Sequence, residues 1–252
     1  MGKNKLRKFA EMELLPNVLQ CPYGVWANEG FPYLGKWHTE IFKNNNPITL
    51  ELGCGRGEYT LGLAKRYPER NFIGIDVKGN RMWNGATIAH KSGLKNVRFL
   101  RTEIELLPHL FGMGEVSEIW LTFPDPQMKK LRKRLTSVRF LHLYKQVLRP
   151  EGRVKLKTDS RFLYTFTQAL ANHNGLTIHT DIANVDLSVP ETHLLRSIQT
   201  YYESQWRKRG ISIKYLEFGL ENLTPTATNP DVEIAPDTYR SYGRERRSQL
   251  KI

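Results

Sequence analysis

Three stretches of the chain hold side chains whose types and spacing suit chemistry. In ELGCGRG (51–57), Gly53, Gly55 and Gly57 follow a short apolar run and precede a helical pattern. Glycines at such a turn permit a tight bend and let a ligand approach the backbone, and the next helix start offers unpaired amides. On pattern alone this loop suits NAD, FAD or S-adenosylmethionine. Glu51 projects toward the ligand end of its strand, where a carboxylate suits an ammonium or sulfonium and repels a pyrophosphate. The spacing is also G-x-G-x-G rather than G-x-G-x-x-G. Both details favour S-adenosylmethionine. Asp76 ends NFIGID, about 20 positions after the glycines, where an acid accepts from ribose hydroxyls. Glu103 follows the next strand and either touches the adenine or charges a helix start. Cys54 reads as a small loop filler, with no base placed beside it.

The second stretch is WLTFPDPQMKKLRKRL (120–135). Two prolines fix the backbone on either side of Asp125. A stiff loop at the carboxyl end of a parallel strand is where ligands meet such sheets. Residues 127–157 then hold eleven Lys or Arg against one acid, Glu151, so most of the chain's net +13 lies beside this loop. Lys129, Lys130, Arg132, Lys133 and Arg134 are the densest part, and that density favours a phosphate-backbone footprint over a merely solvated face. The third stretch is scattered. Asp159 adds a carboxylate at the same sheet edge, or caps the next helix. Thr200, Tyr201, Tyr202 and Glu203 fall near another helix start, where the tyrosines also suit a core.

These groups need a scaffold. Strand-like segments at 48–52, 71–76, 97–100, 117–123, 153–159, 176–182 and 211–218 alternate with helical ones at 58–67, 81–93, 137–148, 161–170 and 198–209. A partly helical run at 103–111 carries Pro108. Such alternation predicts an α/β fold: a mostly parallel sheet with helices on both faces. The domains read as an N-terminal helix (4–15) and aromatic arm within 1–35, a catalytic domain over 36–220, and a mobile tail over 221–252 with Pro225, Pro230 and Pro236. With 252 residues the chain can bury a sizeable core. No apolar run approaches the roughly 18 residues of a membrane span. The start lacks a signal-peptide core, so cytoplasm is the default compartment, with Cys21 and Cys54 as free thiols. No clustered Cys or His ligands suggest a metal.

ELGCGRGEYT, GIDVKG, LTFPDPQMKK, LKTDSRF and QTYYE, in this order and spacing, resemble the bacterial tRNA (guanine-N7-)-methyltransferases. Those are class I, Rossmann-like enzymes that use S-adenosylmethionine to methylate the variable-loop guanine, usually position 46 of tRNA. The resemblance covers about residues 40–218. It implies cofactor roles for Glu51, Asp76, Glu103 and Asp125, and substrate roles for Lys129, Asp159 and the Thr200–Glu203 stretch. Asp125 is the expected catalytic residue, and tRNA the expected partner of a monomer or homodimer. The family commonly has Trp after the second loop proline, where this chain has Gln127. Competing readings are a methyltransferase of another RNA or DNA, a non-catalytic RNA-binding protein, and a nicotinamide oxidoreductase, which Glu51 and the basicity disfavour.

Overall fold

Apolar alternation builds the sheet. In β2 (Ile48–Leu52), Ile48, Leu50 and Leu52 join one core cluster while Glu51 turns to the opposite face. In β3 (Asn71–Asp76), Ile73 and Ile75 join that first core, and Phe72 joins a second. Period-two patterning with both faces apolar is what a sheet covered on both sides requires. The computed structural model describes residues 3–21 and 30–239. The other strands are β1 (Val18–Gln20), β4 (Val97–Arg101), β5 (Val116–Thr122), β6 (Leu148–Thr158), β7 (Ile178–Ile182) and β8 (Lys214–Gly219). They form one sheet in the order β1-β4-β3-β2-β5-β6-β8-β7, parallel through β6, with β8 antiparallel to both β6 and β7.

The helices are α1 (Lys3–Leu14), α2 (Glu58–Arg66), α3 (Gly79–Lys91), α4 (Leu107–Leu110), α5 (Val138–Val147), α6 (Arg161–His173), α7 (Val185–Ser188), α8 (Leu194–Ser197) and α9 (Tyr201–Arg207). Buried residues of α4, α5 and α6 join the first core, and those of α2 and α3 the second. The chain runs outward from β2 through β3 to β4, then returns to place β5 on the other side of β2. That reversal leaves a crevice at the carboxyl ends of β2 and β5. Register brings the predicted chemistry to this edge: Leu52 pairs with Ile75, Asp76 with Arg101, and Thr122 with Lys157.

Several expectations shift. The helix predicted over 198–209 is shorter, with Thr200 capping α9, and α8 precedes it. β6 starts at Leu148, ahead of Pro150 and Gly152, because a register shift against β5 absorbs them. The short β1 adds an edge strand that the aromatic arm did not suggest. Of that arm, Phe31 packs 5.8 Å from Trp37, while Pro22, Tyr23, Gly24 and Trp26 lie outside the described residues. Residues 221–239, expected as a mobile tail, lie against the body: Leu223 and Asp237 are buried, and Asn229 Oδ1 accepts from the Val138 amide at 3.0 Å. Polar composition hid this because the anchors are single side chains without periodicity. Residues 240–252 lie outside the described residues.

Candidate active site

The glycine loop closes onto the end of β3. The Gly53 and Cys54 amides donate to the Ile75 carbonyl at 2.8 and 3.0 Å. Asp76 accepts from the Gly55 amide at 2.9 Å and the Lys78 amide at 2.8 Å, so its carboxylate holds loop and strand end together. Gly53 has φ +77°, and a Cβ there would meet nothing, so the backbone faces open space. Two adjoining hollows share Gly53, Asp76 and Arg81. One, about 260 Å³, is lined by Val77, Thr102, Glu103 and Ile104. The other, about 390 Å³, is lined by Lys8, Gly55, Arg56, Glu58, Phe123, Thr200 and Tyr202.

These residues fit S-adenosylmethionine. Val77 and Ile104 offer apolar surface for a purine. The buried Thr102 hydroxyl has no hydrogen-bond partner among the described residues, and such a group calls for one. Asp76 lines both hollows, and a carboxylate there can accept from ribose hydroxyls. In the second hollow Arg56, Arg81 and Lys8 can take a carboxylate, and Glu58 an ammonium. Sequence reading missed Thr102, Lys8 and Arg81, which belong to no motif, and Arg56, which sits within the glycine loop but was passed over for its glycines. Cys54 is buried and its thiol is pushed well above the usual range, mainly by burial, which suits a filler rather than a nucleophile.

Two predicted cofactor residues lie behind the hollows. Glu51 is 2% exposed and lines neither hollow. Its carboxyl accepts from the Thr60 amide at 2.8 Å and from the Thr60 and Thr122 hydroxyls, tying α2 to β5. Burial pushes its pKa from 4.5 to about 7, against the pull of those hydrogen bonds. The folded state therefore holds the proton more tightly than the unfolded chain. That contribution to stability is complete below about pH 4.5 and is lost as pH rises through about 7. Glu51→Gln should remove this part of the pH dependence, so variant and wild-type melting temperatures should converge at acid pH and separate above pH 7, the variant higher. Parallel melting curves across that range would refute the assignment.

Gly57 opens α2 at φ +73°, and a Cβ there would lie 2.6 Å from the Phe99 ring and 3.2 Å from Gly85. It serves close packing of α2 on α3 and the sheet rather than the ligand. Gly57→Ala should cost about 2–3 kcal/mol through overpacking and a left-handed alanine, lowering the melting temperature by roughly 5–10 °C. An unchanged melting curve would contradict this packing.

The Phe-Pro-Asp-Pro loop leaves the end of β5. Phe123 and Gln127 both have positive φ, 50° and 48°. The Phe123 amide donates to the Lys157 carbonyl at 2.8 Å, and Gln127 donates to Asp125 Oδ1 at 3.0 Å. Asp125 itself is exposed, two residues beyond Phe123 on the wall of the larger hollow. Arg134 departs from expectation. It is 3% exposed, donates to the carbonyls of Pro126, Gln127 and Met128, and lies over the Phe166 ring at 3.9 Å. It anchors the loop rather than reaching outward, and burial lowers its pKa to about 10. Other cations of the 127–157 run are also engaged: Lys155 with Glu118, and Arg139 with Glu105. Lys129, Lys130, Arg132 and Lys133 are exposed and form the ridge.

Lys157 and Glu203 are both 0% exposed and pair at 2.8 Å, with Arg207 donating to the other Glu203 oxygen at 2.8 and 3.0 Å. Burial lowers the Lys157 pKa to about 8 and raises that of Glu203. Glu203, predicted to touch substrate, thus locks α9 to β6. Thr200 accepts from the Glu203 amide at 3.1 Å and lines the larger hollow with Tyr202. Tyr201 is exposed, with Arg56 over its ring at 4.5 Å. Asp159 is buried and accepts from the Tyr239 hydroxyl at 2.8 Å. The cap of α6 is Ser160, whose hydroxyl accepts from the Leu163 amide at 2.9 Å, not Asp159. Among the described residues no three His, Cys, Asp or Glu side chains gather as a metal site would need, and no helix is long and apolar enough to cross a membrane.

A family profile described as a putative methyltransferase matches residues 45–216. A tRNA (guanine-N(7)-)-methyltransferase of Porphyromonas gingivalis is 56% identical over 94% of this chain and 98% of its own. One from Bacteroides fragilis is 52% identical over 100% of this chain and 99% of its own. The chain belongs to the tRNA (guanine-N7-)-methyltransferase family. Membership accounts for the class I methyltransferase fold, which is shared with the solved 16S rRNA methyltransferase KamB at a TM-score of 0.56 and 14% identity, over 74% of this chain and 94% of that one. In this chain the glycine loop and Phe123, the first residue of the Phe-Pro-Asp-Pro loop, line the larger hollow.

Proposed function

We propose that this chain transfers the methyl group of S-adenosylmethionine to N7 of the variable-loop guanine of tRNA, position 46, in the cytoplasm. The supporting observation is one shared rim: Gly53–Arg56, Phe123, Thr200 and Tyr202 line a single hollow, and the Phe123 loop continues through Asp125 into the exposed Lys129–Lys133 ridge. When bound, the cofactor supplies an electrophilic methyl carbon on a sulfonium. Gly53, Gly55 and Asp76 hold its nucleoside, with Glu103 at the adenine end. Guanine N7 already carries a lone pair, so no proton must leave before attack and no strong general base is needed. The chain's work is therefore to hold N7 in line with the methyl carbon. Positive charge grows on the purine as the bond forms, and Asp125 at the rim stabilises it while accepting from guanine N–H groups. The Thr200–Tyr202 turn holds the base, and Lys129 and its neighbours hold the phosphates.

The test is incubation with labelled S-adenosylmethionine and total tRNA, followed by aniline cleavage mapping of N7-methylguanine. Cleavage at the variable-loop guanine supports the reading. Label in another nucleoside or another RNA would overturn it.

A further inference from the structure

The turn that opens α9 is held from two directions. Its base is fixed to the sheet and to α2. Lys157 Nζ donates to the Ile198 carbonyl at 3.1 Å as well as to Glu203, and a Cβ at Gly62 would lie 2.5 Å from the Ile198 side chain. Its tip is fixed to the cofactor side. Glu58, the first residue of α2, accepts from the Tyr201 amide at 2.9 Å, and the Arg56 guanidinium lies over the Tyr201 ring at 4.5 Å. Arg56, Glu58, Thr200 and Tyr202 all line the larger hollow. Tyr201 and Tyr202 are each 46% exposed.

An acid at a helix start can serve its own helix alone, through the dipole. Glu58 does more, because its hydrogen bond goes to a residue 143 positions further along the chain. Tyr201 opens α9, and a first-turn amide has no partner within its own helix. Thr200 takes the Glu203 amide and Glu58 takes the Tyr201 amide, so the turn is capped partly by itself and partly by the segment that follows the glycine loop. The buried pair at the base holds α9 to β6; the orientation of the exposed tip depends on Glu58 and Arg56.

We infer that Glu58 is a positioning residue for tRNA: the carboxylate that lines the cofactor hollow also pins the Thr200–Tyr202 turn that receives the base. This rests on the substrate role proposed for that turn. Glu58 acts through the Tyr201 amide and not by touching tRNA. As an anion it repels phosphates, so its charge alone works against tRNA binding. Any gain it brings must come through the turn.

The test is binding of a labelled tRNA transcript to the full-length, cofactor-free protein at fixed salt, where contacts with the cofactor cannot contribute. Glu58→Gln keeps an acceptor oxygen for the Tyr201 amide and removes the charge. Glu58→Ala removes both. Kd should rise about fivefold in Glu58→Ala, the order of one lost hydrogen bond, and stay within about twofold of wild type in Glu58→Gln. A Glu58 that acts only by its charge predicts the opposite sign, tighter binding in both variants. That result overturns the inference, as does the same Kd in all three proteins or equal weakening in both variants. Tyr202→Ala tests the reading beneath it and should raise Kd. If it does not, the substrate role of the turn fails and the inference with it. If it does, while Glu58→Ala and Glu58→Gln behave alike, only the inference fails.

Discussion

Asp125→Ala is expected to lower the turnover number about 10²- to 10³-fold, the typical cost of removing one preorganised electrostatic group. The Kd for tRNA should change by less than about twofold, because the phosphate ridge supplies most of the affinity. Selectivity for the chemical step follows from how the loop is held. The Phe123 amide is fastened to Lys157, and the carbonyls of Pro126, Gln127 and Met128 are fastened to Arg134. The Asp125 side chain makes a single local bond within the loop, to the Gln127 amide. Losing the carboxylate therefore should not collapse the loop, and the melting temperature should stay near wild type. Single-turnover transfer with saturating tRNA separates the effects. A variant with full turnover would remove Asp125 from the mechanism.

Replacing Lys129, Lys130, Arg132 and Lys133 together by Gln should weaken tRNA binding by about 10²- to 10³-fold near 0.1 M salt. The slope of log Kd against log salt should fall by about 3, since each lost phosphate contact removes a little under one. The four side chains are exposed, so stability should be unaffected. Arg134→Gln is the informative contrast. It removes the same charge from the same run, yet should leave the salt slope unchanged and lower the melting temperature, because that guanidinium is spent on three carbonyls and two phenylalanine rings. If the fourfold variant keeps its affinity and slope, the ridge is only a solvated face. If Arg134→Gln flattens the slope, the division between anchor and ridge is wrong.

That division marks what the chain's letters could carry. Periodicity placed β2, β3, α2 and α6 closely, because each alternates over a covered sheet or a helix face. The glycine loop, Asp76 and the Pro-flanked Asp125 were legible because their residue types are rare in that order at a strand end. Burial of charge was not legible. Arg134 stands among five cations and looks the same as its neighbours; only the aromatic wall of α6 distinguishes it. Lys157 alternates with Val154 and Leu156 as a solvent-facing lysine would, and its partner Glu203 is 46 residues away in α9. Glu51 reads as a ligand group because it precedes the glycines, but Thr60 and Thr122 claim its carboxyl. The strap after β8 escaped because Asn229, Asp237 and Tyr239 act singly, without a repeating pattern.

Direct attack of guanine N7 on the methyl carbon, at the rim between the glycine loop and Asp125, is probed by single-turnover transfer to tRNA carrying 7-deazaguanine at the variable-loop position, with binding measured in parallel. Unchanged tRNA affinity with no methyl transfer is the expected result. Continued transfer to that tRNA would show that another atom is the nucleophile and would contradict attack by N7.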